Sequence, residues 1–379
     1  MIAAAVLLGG CYFDYSARDA GTDEADASVL ADASIDAPVV DAAPPEDAPV
    51  IDATPDADPA DAYIPPVITY TLLSETGLYS DIATKTIAPG IIEFTPHYKL
   101  WTDGALKRRW ILLPPGTQVD TTSMAHWRFP IGTKVWKEFA YDDNGFVRME
   151  TRLIERTGPD RTHVWMGSFE WNAAETEADY REFGRTNVKG SDHDIPAAQQ
   201  CTSCHRGEDH ALLGFSAVQL THSESNNIDQ LRLMGLFTTA PAVGGYPVPG
   251  TQVESDALGY MNANCGHCHN PQQGLACNTL TGLSLRVYPT DVNVLSTDAY
   301  TTAVGQPLQY WISFQRGNEL GFTTRVVAGD SANSALHWRV NVRNPGIDPP
   351  NEHYQMPPNF TEFVDPTGAA TIQAWIDSL

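Results

Sequence analysis

The sequence predicts a β + α fold in which an antiparallel β-sandwich of jelly-roll type precedes a mainly helical region. Two observations support this prediction. Between residues 67 and 190, stretches rich in β-branched and aromatic residues alternate with turn signals, and these stretches are 107–113, 133–140, 146–156 and 162–172. After residue 190, apolar residues recur at helical spacing instead.

The β region, residues 67–190, contains a strong hairpin signal. Asp143-Asn144-Gly145 separates two alternating stretches, and short strands joined by regular turns are typical of a sandwich. A charged cluster near Trp101 and Trp110 is either a ligand or partner patch or a strand edge with salt bridges. We expect the second, because surface charges seldom mark a site by themselves. The cluster comprises Asp103, Lys107, Arg108 and Arg109.

The helical region has two clear helices. Val253, Ala257 and Met261 share one face of a helix that leads directly into Cys265. At the end of the chain, Ile372 and Trp375 belong to a second apolar face. We expect the terminal helix to pack across the first one.

Two Cys-x-x-Cys-His motifs are the strongest functional signal. They read Cys201-Thr202-Ser203-Cys204-His205 and Cys265-Gly266-His267-Cys268-His269. This is the attachment pattern of c-type haem, in which two thiols bind the porphyrin vinyl groups and the histidine binds the iron. The sequence therefore predicts two covalent haems c. The thioether anchors are Cys201, Cys204, Cys265 and Cys268, and the proximal ligands are His205 and His269.

Zinc binding and dithiol redox chemistry are the alternatives for a Cys-x-x-Cys pair. About sixty residues separate the two pairs, which is too far for a simple zinc ribbon, and a redox dithiol needs no following histidine. Two complete motifs in a chain with six cysteines favour haem. The sixth cysteine, Cys277, is expected to be a small buried apolar residue.

The distal iron ligands are predicted from loop context and spacing. Met356 lies in Gln355-Met356-Pro357-Pro358, and a methionine on a proline-stiffened loop suits the distal side of the second haem. For the first haem, Met234 has the best spacing, although it continues the apolar helical face of Ile228 and Leu231. His193, His210, His222 and an open or water-bound iron remain alternatives.

The N-terminal residues 1–11 predict export. Their apolar run ends in Leu8-Gly9-Gly10-Cys11, which resembles a bacterial lipoprotein signal in which Cys11 is lipidated. A plain secretory signal is the alternative. Either agrees with covalent haem, which bacteria attach outside the cytoplasm. We expect a periplasmic or cell-surface protein held at the outer membrane by lipid alone, since no other segment is apolar enough to span a bilayer.

Residues 12–66 predict a disordered tether rich in Asp, Ala and Pro. This segment holds fourteen acidic residues and one arginine, so about −13 of the net charge of −24 lies here and −11 remains elsewhere. An acidic remainder argues against nucleic-acid binding, which needs a basic face.

The motifs together resemble a group of bacterial exported dihaem c-type cytochromes. Similar segments in this group carry an aromatic residue before the second haem motif, then Met-Pro-Pro, Asp-x-x-Gly and a Trp-Ile helix. Here these are Tyr260, Met356-Pro357-Pro358, Asp365 to Gly368, and Trp375-Ile376. The run at 100–110 and the segment 113–117 also resemble the β domain that precedes the haems in some members. The resemblance covers most of residues 70–379.

The resemblance implies electron transfer between redox protein partners, and it names no small-molecule substrate. The expected organisation is a first haem segment at 191–250 and a second, cytochrome c-like haem domain at 251–379. Two alternatives stay open. An open first haem would suit a dihaem peroxidase or oxidase, and the sandwich could be a binding module that recruits a partner dehydrogenase.

Overall fold

The structure is a computed structural model that describes residues 67–142, 145–160, 162–205, 207–271, 281–309, 321–343, 355–358 and 361–379. These residues belong to one compact unit. The predicted signal and tether, together with Cys11, Asn144 and Cys277, lie outside the described residues. No helix within the described ranges is both long and apolar enough to cross a membrane.

An antiparallel six-stranded sheet dominates the N-terminal half. The described strands are β1 (Tyr79–Asp81), β2 (Thr86–Ile87), β3 (Ile92–Glu93), β4 (Leu106–Leu112), β5 (Lys134–Tyr141), β6 (Val147–Arg156), β7 (Val164–Trp171) and β8 (Ala178–Tyr180). In the large sheet, strands β3 to β8 follow the order of the chain, and β1 and β2 form a separate two-stranded sheet. The four predicted strands are therefore confirmed as β4 to β7.

The connectivity of this sheet is a meander, because each strand pairs with its neighbour in sequence. The predicted jelly roll would need Greek-key connections between strands distant in sequence, and the described strands contain none. The reason is local. From β5 to β8 only five to seven residues connect one strand to the next, and such short connections return each strand antiparallel beside the previous one.

The two faces of the large sheet pack against different parts of the chain. Trp110, Trp136 and Leu153 face a core shared with the segment around Leu73 and Tyr79. Side chains alternate along a strand, so their neighbours point to the opposite face. There, Ile111 and Val135 share a core with residues that follow the first Cys-x-x-Cys-His motif, namely Leu212, Phe215, Leu220, Ile228 and Leu231.

Seven α-helices are described in the C-terminal half, most of them short. They are α1 (Cys201–His205), α2 (Ala217–Leu220), α3 (Ile228–Leu233), α4 (Gln252–Asn264), α5 (Asp298–Ala303), α6 (Ala335–Asn341) and α7 (Pro366–Ser378). The β + α class predicted from the sequence is thus confirmed.

The two long helices α4 and α7 pack together as predicted. Ala257 and Met261 of α4 share one core with Ile372 and Trp375 of α7, and all four side chains are fully buried. Gly368 makes the close approach possible, because a Cβ atom at this position would lie 2.1 Å from the Tyr260 ring. This packing holds the end of α4, and so the second motif, against the C-terminal helix.

Candidate functional site

The first motif occupies one helical turn. Helix α1 consists of its five residues and follows a 3-10 turn at Ala198–Gln200. The ring Nδ1 of His205 lies 2.7 Å from the carbonyl oxygen of Ala211. A carbonyl only accepts, so Nδ1 carries the proton and Nε2 keeps its lone pair. Burial also lowers the pKa of His205 to about 4, which keeps the imidazole neutral.

The second motif forms the turn that ends α4. The amide of Cys265 donates to the Met261 carbonyl at 2.8 Å, and that of His269 donates to the Cys265 carbonyl at 2.8 Å. Burial lowers the pKa of His269 to about 4 and raises that of Cys265 to about 12. Unlike His205, His269 has a buried Nδ1 with no hydrogen-bond partner among the described residues.

Gly266 explains how this turn fits its surroundings. A Cβ atom at Gly266 would lie 2.8 Å from the carbonyl oxygen of Asn262 and 3.0 Å from that of Leu285. Only glycine therefore lets the motif lie against the 285–287 segment. The amide oxygen of Asn262 also accepts from the backbone N–H of Val287 at 3.0 Å, which fixes this contact from the helix side.

Asn264, directly before the second motif, connects it to the β region. Its side-chain oxygen accepts from the Trp101 amide at 2.7 Å, and its side-chain nitrogen donates to the Lys99 carbonyl at 3.2 Å. The side chain is 3% exposed. Because a buried amide is stable only when its hydrogen bonds are made, Asn264 holds the end of α4 against the 99–101 segment.

The two motifs meet although about sixty residues separate them. The Cys204 thiol of the first motif hydrogen-bonds to Cys268 and His267 of the second. The Cys268 contact, together with His267, lowers the pKa of Cys204 well below its ordinary value, although burial opposes this shift. The four cysteines are free thiols. Both motifs are thus parts of one site.

A cavity of about 220 Å³ lies at this site. Its lining includes Cys201, Cys204 and His205 of the first motif and His267 of the second. The large sheet forms another wall, since Val135, Ile154 and Met166 also line the cavity. The β region is therefore part of the site.

The sheet also contributes positive charge to this cavity. Arg109, Lys137 and Arg152 line it and lie opposite one another on β4, β5 and β6. Of the charged cluster at 103–109, Arg109 lines the cavity, whereas Arg108 points to the opposite face of the sheet and forms a half-exposed pair with Glu93 at 2.8 Å. Asp103 instead accepts from the backbone amides of Glu362 and Phe363 at 2.9 and 3.0 Å.

Met356, the predicted distal ligand of the second haem, lies beside helix α6. Its amide donates to the Arg339 carbonyl at 2.9 Å. Burial is the main cause of the lowered pKa of His269, and the charge of Arg339 lowers it further. The next residue, Pro357, lines the cavity. The structure thus brings the methionine loop to the neighbourhood of the second motif, and ligation by Met356 stays a prediction.

Met234, the predicted distal ligand of the first haem, is placed on the surface. Helix α3 ends at Leu233, and Gly235 turns the chain with a φ of 73°. Met234 therefore leaves the buried face of Ile228 and Leu231 and is 57% exposed. It is not among the described residues that line the cavity, so the structure gives it no role at the iron.

The three alternative histidines have other contacts. His193 Nε2 lies 2.9 Å from Glu150 Oε1, and His210 Nδ1 accepts from the Phe129 amide at 3.0 Å. His222 lies with its ring centre 6.0 Å from that of His97. None of the three is among the described residues that line the cavity.

Sequence reasoning missed several residues of the site. His267 lies between the two cysteines of its motif, where any residue is allowed, and Met124 and Met166 are cavity-lining thioethers outside the helical region. The alternation along β7 could have placed Met166 on the same face as Ile154. Nothing local in the sequence assigns that face to the haem motifs.

Among the described residues, no group of three or more His, Cys, Asp or Glu side chains is arranged to hold a metal ion. No protein-family model matches this chain, and no curated protein or solved structure matches it either.

Proposed function

We propose that this chain attaches two c-type haems and transfers electrons between redox partners. The observation that supports the proposal most is the meeting of the two Cys-x-x-Cys-His motifs, where Cys204 contacts Cys268 and His267. Two centres that exchange electrons must lie close together, and this contact brings the two motifs together. The thioether anchors are Cys201, Cys204, Cys265 and Cys268, and the proximal ligands are His205 and His269.

The donor set fits this role. A histidine ligand must be neutral, and burial lowers the pKa of His205 and His269 to about 4. The Ala211 carbonyl fixes the tautomer of His205 that leaves Nε2 available, as partners of ligating histidines usually do. The four anchor thiols are free.

Haem c supplies a reversible one-electron couple at its iron. The contribution of the chain is position and environment. The Ala211 carbonyl orients the His205 ring, Gly266 lets the second motif approach the 285–287 segment, and Asn264 holds that motif to the β region.

We also propose that α4 and α7 form a cytochrome c-like unit around the second motif, with Met356 as its distal ligand. The buried contact between these helices supports the first part. The position of Met356 beside Arg339, whose charge reaches His269, supports the second. Met356→Ala should then remove the absorption band of methionine-to-ferric-iron coordination, and an unchanged spectrum would reject this ligand.

Export and lipid anchoring at Cys11 remain part of the proposal on sequence grounds. Such a protein would act in the periplasm or at the cell surface, with the 12–66 segment as its tether. Cys11→Ala should release the protein from membranes and abolish its labelling by radioactive palmitate. Labelling that persists in this variant would contradict the assignment.

The haem content tests the proposal directly. The protein is produced with a haem c maturation system, and the reduced pyridine adduct is quantified per polypeptide. We expect two haems per chain, one in Cys201→Ala/Cys204→Ala and one in Cys265→Ala/Cys268→Ala. A haem-free wild-type chain, beside a control cytochrome that matures, would reject the proposal in favour of zinc or dithiol chemistry.

An enzyme of the dihaem peroxidase or oxidase type is the second candidate. The observation that favours it is the surface position of Met234, which leaves the first haem without its predicted distal ligand. Cyanide or carbon monoxide should then shift the spectrum of one haem. Two haems that bind neither would favour the carrier.

A further inference from the structure

Three cationic side chains form a row across the centre of the large sheet. Arg109 of β4 pairs in register with Lys137 of β5, which pairs with Arg152 of β6. Directly opposed side chains in an antiparallel sheet have Cβ atoms about 5 Å apart, and like charges at this distance destabilise a sheet. A folded chain keeps such a row only where something compensates it.

Only one member of the row forms a carboxylate hydrogen bond among the described residues, although Lys137 lies over the Phe139 ring and within electrostatic reach of Glu150. Arg152 Nε donates to Glu150 Oε2 at 2.9 Å, and Glu150 is fully buried. In the part of the chain that the structure describes, neither Arg109 nor Lys137 hydrogen-bonds to a carboxylate or pairs with one, although Arg109 is only 7% exposed. Burial, aided by the neighbouring Arg109, lowers the pKa of Lys137 well below its ordinary value.

The row faces the cavity between the two motifs. Arg109, Lys137 and Arg152 line it together with Cys201, Cys204 and His205. Cys201 and Cys204 lie within electrostatic reach of Arg152, and His205 lies within reach of Lys137, so the row is close to the first motif.

Positive charge dominates this cavity in an otherwise acidic protein. Among the described lining residues, Glu208 is the only carboxylate, and it forms an ion pair with the fourth cation, Arg286. The chain as a whole carries a net charge of −24. The unpaired cations are therefore a local feature that calls for an anion in the cavity.

We propose that Arg109, Lys137 and Arg152 bind the propionate carboxylates of the haem attached to Cys201 and Cys204. This inference rests on the proposed function. It gives the sheet a role in the redox site, as the support of an anion-binding row that orients the porphyrin. A guanidinium matches a carboxylate in a two-point hydrogen bond, and an ammonium adds a point charge.

The row should also affect the reduction potential of the iron. A cation near the iron disfavours the ferric state, which carries one positive charge more than the ferrous state. Removing a cation of the row should lower the reduction potential of the first haem and leave that of the second nearly unchanged. The unpaired propionates should also titrate at higher pH, which shifts the pH dependence of this potential upward.

Lys137→Met and Arg109→Gln in the haem-loaded protein test the row. The readouts are the two reduction potentials as a function of pH and the propionate bending mode in resonance Raman spectra. Lys137→Arg keeps the charge and should restore wild-type values. Arg108→Gln is the matched control, because Arg108 precedes Arg109 but points to the opposite face of the sheet, where it forms a half-exposed pair with Glu93.

The outcomes separate the possible explanations. A lower potential of one haem with an altered propionate mode supports the row, and Lys137→Met provides this test even if Arg109→Gln fails to fold. Two haems with unchanged potentials and unchanged propionate modes would overturn it while leaving the proposed function intact. Wild-type protein that binds succinate at the row with the haems in place, and loses this binding in Lys137→Met, would also overturn it in favour of a free carboxylate ligand. A chain without haem would reject the proposed function itself.

Discussion

The hydrogen-bond partners of individual side chains determine the protonation and orientation of the two motifs. His205 has a fixed tautomer because a backbone carbonyl accepts from its Nδ1, whereas the buried Nδ1 of His269 has no hydrogen-bond partner among the described residues, and burial together with nearby charges lowers the pKa of His269. The Cys204 thiol links the two motifs through Cys268 and His267. Backbone carbonyls and glycine, rather than further charged groups, hold these side chains in place.

Asn264 is the residue-scale element that we expect to matter most for the second motif. In Asn264→Ala, the Trp101 amide and the Lys99 carbonyl lose their partner in a partly buried position, which should lower the free energy of unfolding by about 2 kcal/mol. Thermal and urea unfolding measure this loss.

The control for this substitution is Asn341→Ala. Asn341 is an exposed residue whose side chain donates to the His337 carbonyl at 3.0 Å, so its removal should cost less than about 0.5 kcal/mol. Equal effects of the two substitutions would show that Asn264 has no special role.

The two motifs can be recognised in the sequence because the haem-attachment pattern occupies five consecutive positions, and attachment itself stays a prediction. Met234 shows that helical spacing alone does not predict where a side chain lies. Its spacing from Ile228 and Leu231 suits a longer helix, but α3 stops at Leu233 and the side chain turns outward. Helix periodicity locates a face only while the helix continues, and Gly235 alone was a weak stop signal.

Pairs of elements set the geometry at the next scale. Helices α4 and α7 hold the second motif, and β6 supports the site from the sheet through Glu150. This buried carboxylate contacts Arg152 and also lies 2.9 Å from His193 Nε2. Burial works against its charge, but these partners lower the pKa of Glu150 to about 2.

Glu150 should make stability depend on pH in acid. Its pKa falls from the ordinary 4.5 to about 2 on folding, so its contribution is complete above about pH 4.5 and disappears as the pH falls toward 2. A shift of this size corresponds to about 3 kcal/mol. Glu150→Gln should lose about this much stability at neutral pH and flatten the profile between pH 4.5 and 2.

Glu93→Gln is the matched control for Glu150, since Glu93 forms an arginine pair on the same sheet but is 39% exposed. It should lose no more than about 1 kcal/mol. An acid profile of Glu150→Gln that matches the wild type would show that the Glu150 pair does not support the sheet.

The contact between α4 and α7 leads to a second prediction at this scale. Gly368→Val places side-chain carbons where the Tyr260 ring now lies, since even a Cβ atom would come within 2.1 Å of it. We expect a loss of about 3 kcal/mol or more and a disturbed spectrum of the second haem, as in overpacked cores.

Ala370→Val tests whether this loss comes from the contact rather than from helix propensity. Ala370 is exposed on the same helix, so this variant should lose less than about 1 kcal/mol and keep the wild-type spectrum. Equal losses in the two variants would contradict the packing role of Gly368.

The strands and the two long helices follow from local sequence, because alternation and helical spacing are properties of neighbouring residues. The order of the strands in the sheet and the composition of the site do not follow from local sequence. No local signal aligns Arg109, Lys137 and Arg152 across three strands, or brings Cys204 to Cys268. Tertiary packing determines both, and for that reason the sequence suggested a separate sandwich rather than a wall of the site.

At the scale of the whole molecule, one body combines the sheet with both attachment motifs. The core that contains Ile111 and Val135 of the sheet continues into Phe215 and Leu231 after the first motif. Residues of the sheet and of both motifs line the cavity. We therefore propose a single centre with two haems, in which the charge of each haem affects the reduction potential of the other.

A potentiometric titration of the wild type and of the two single-motif variants tests this claim most directly. In one shared centre, removing either haem takes away a charged neighbour, so the potential of the remaining haem should shift from its value in the wild type. The two single-haem curves should then fail to sum to the wild-type curve. Single-haem curves that sum to the wild-type curve without any shift would contradict a shared centre.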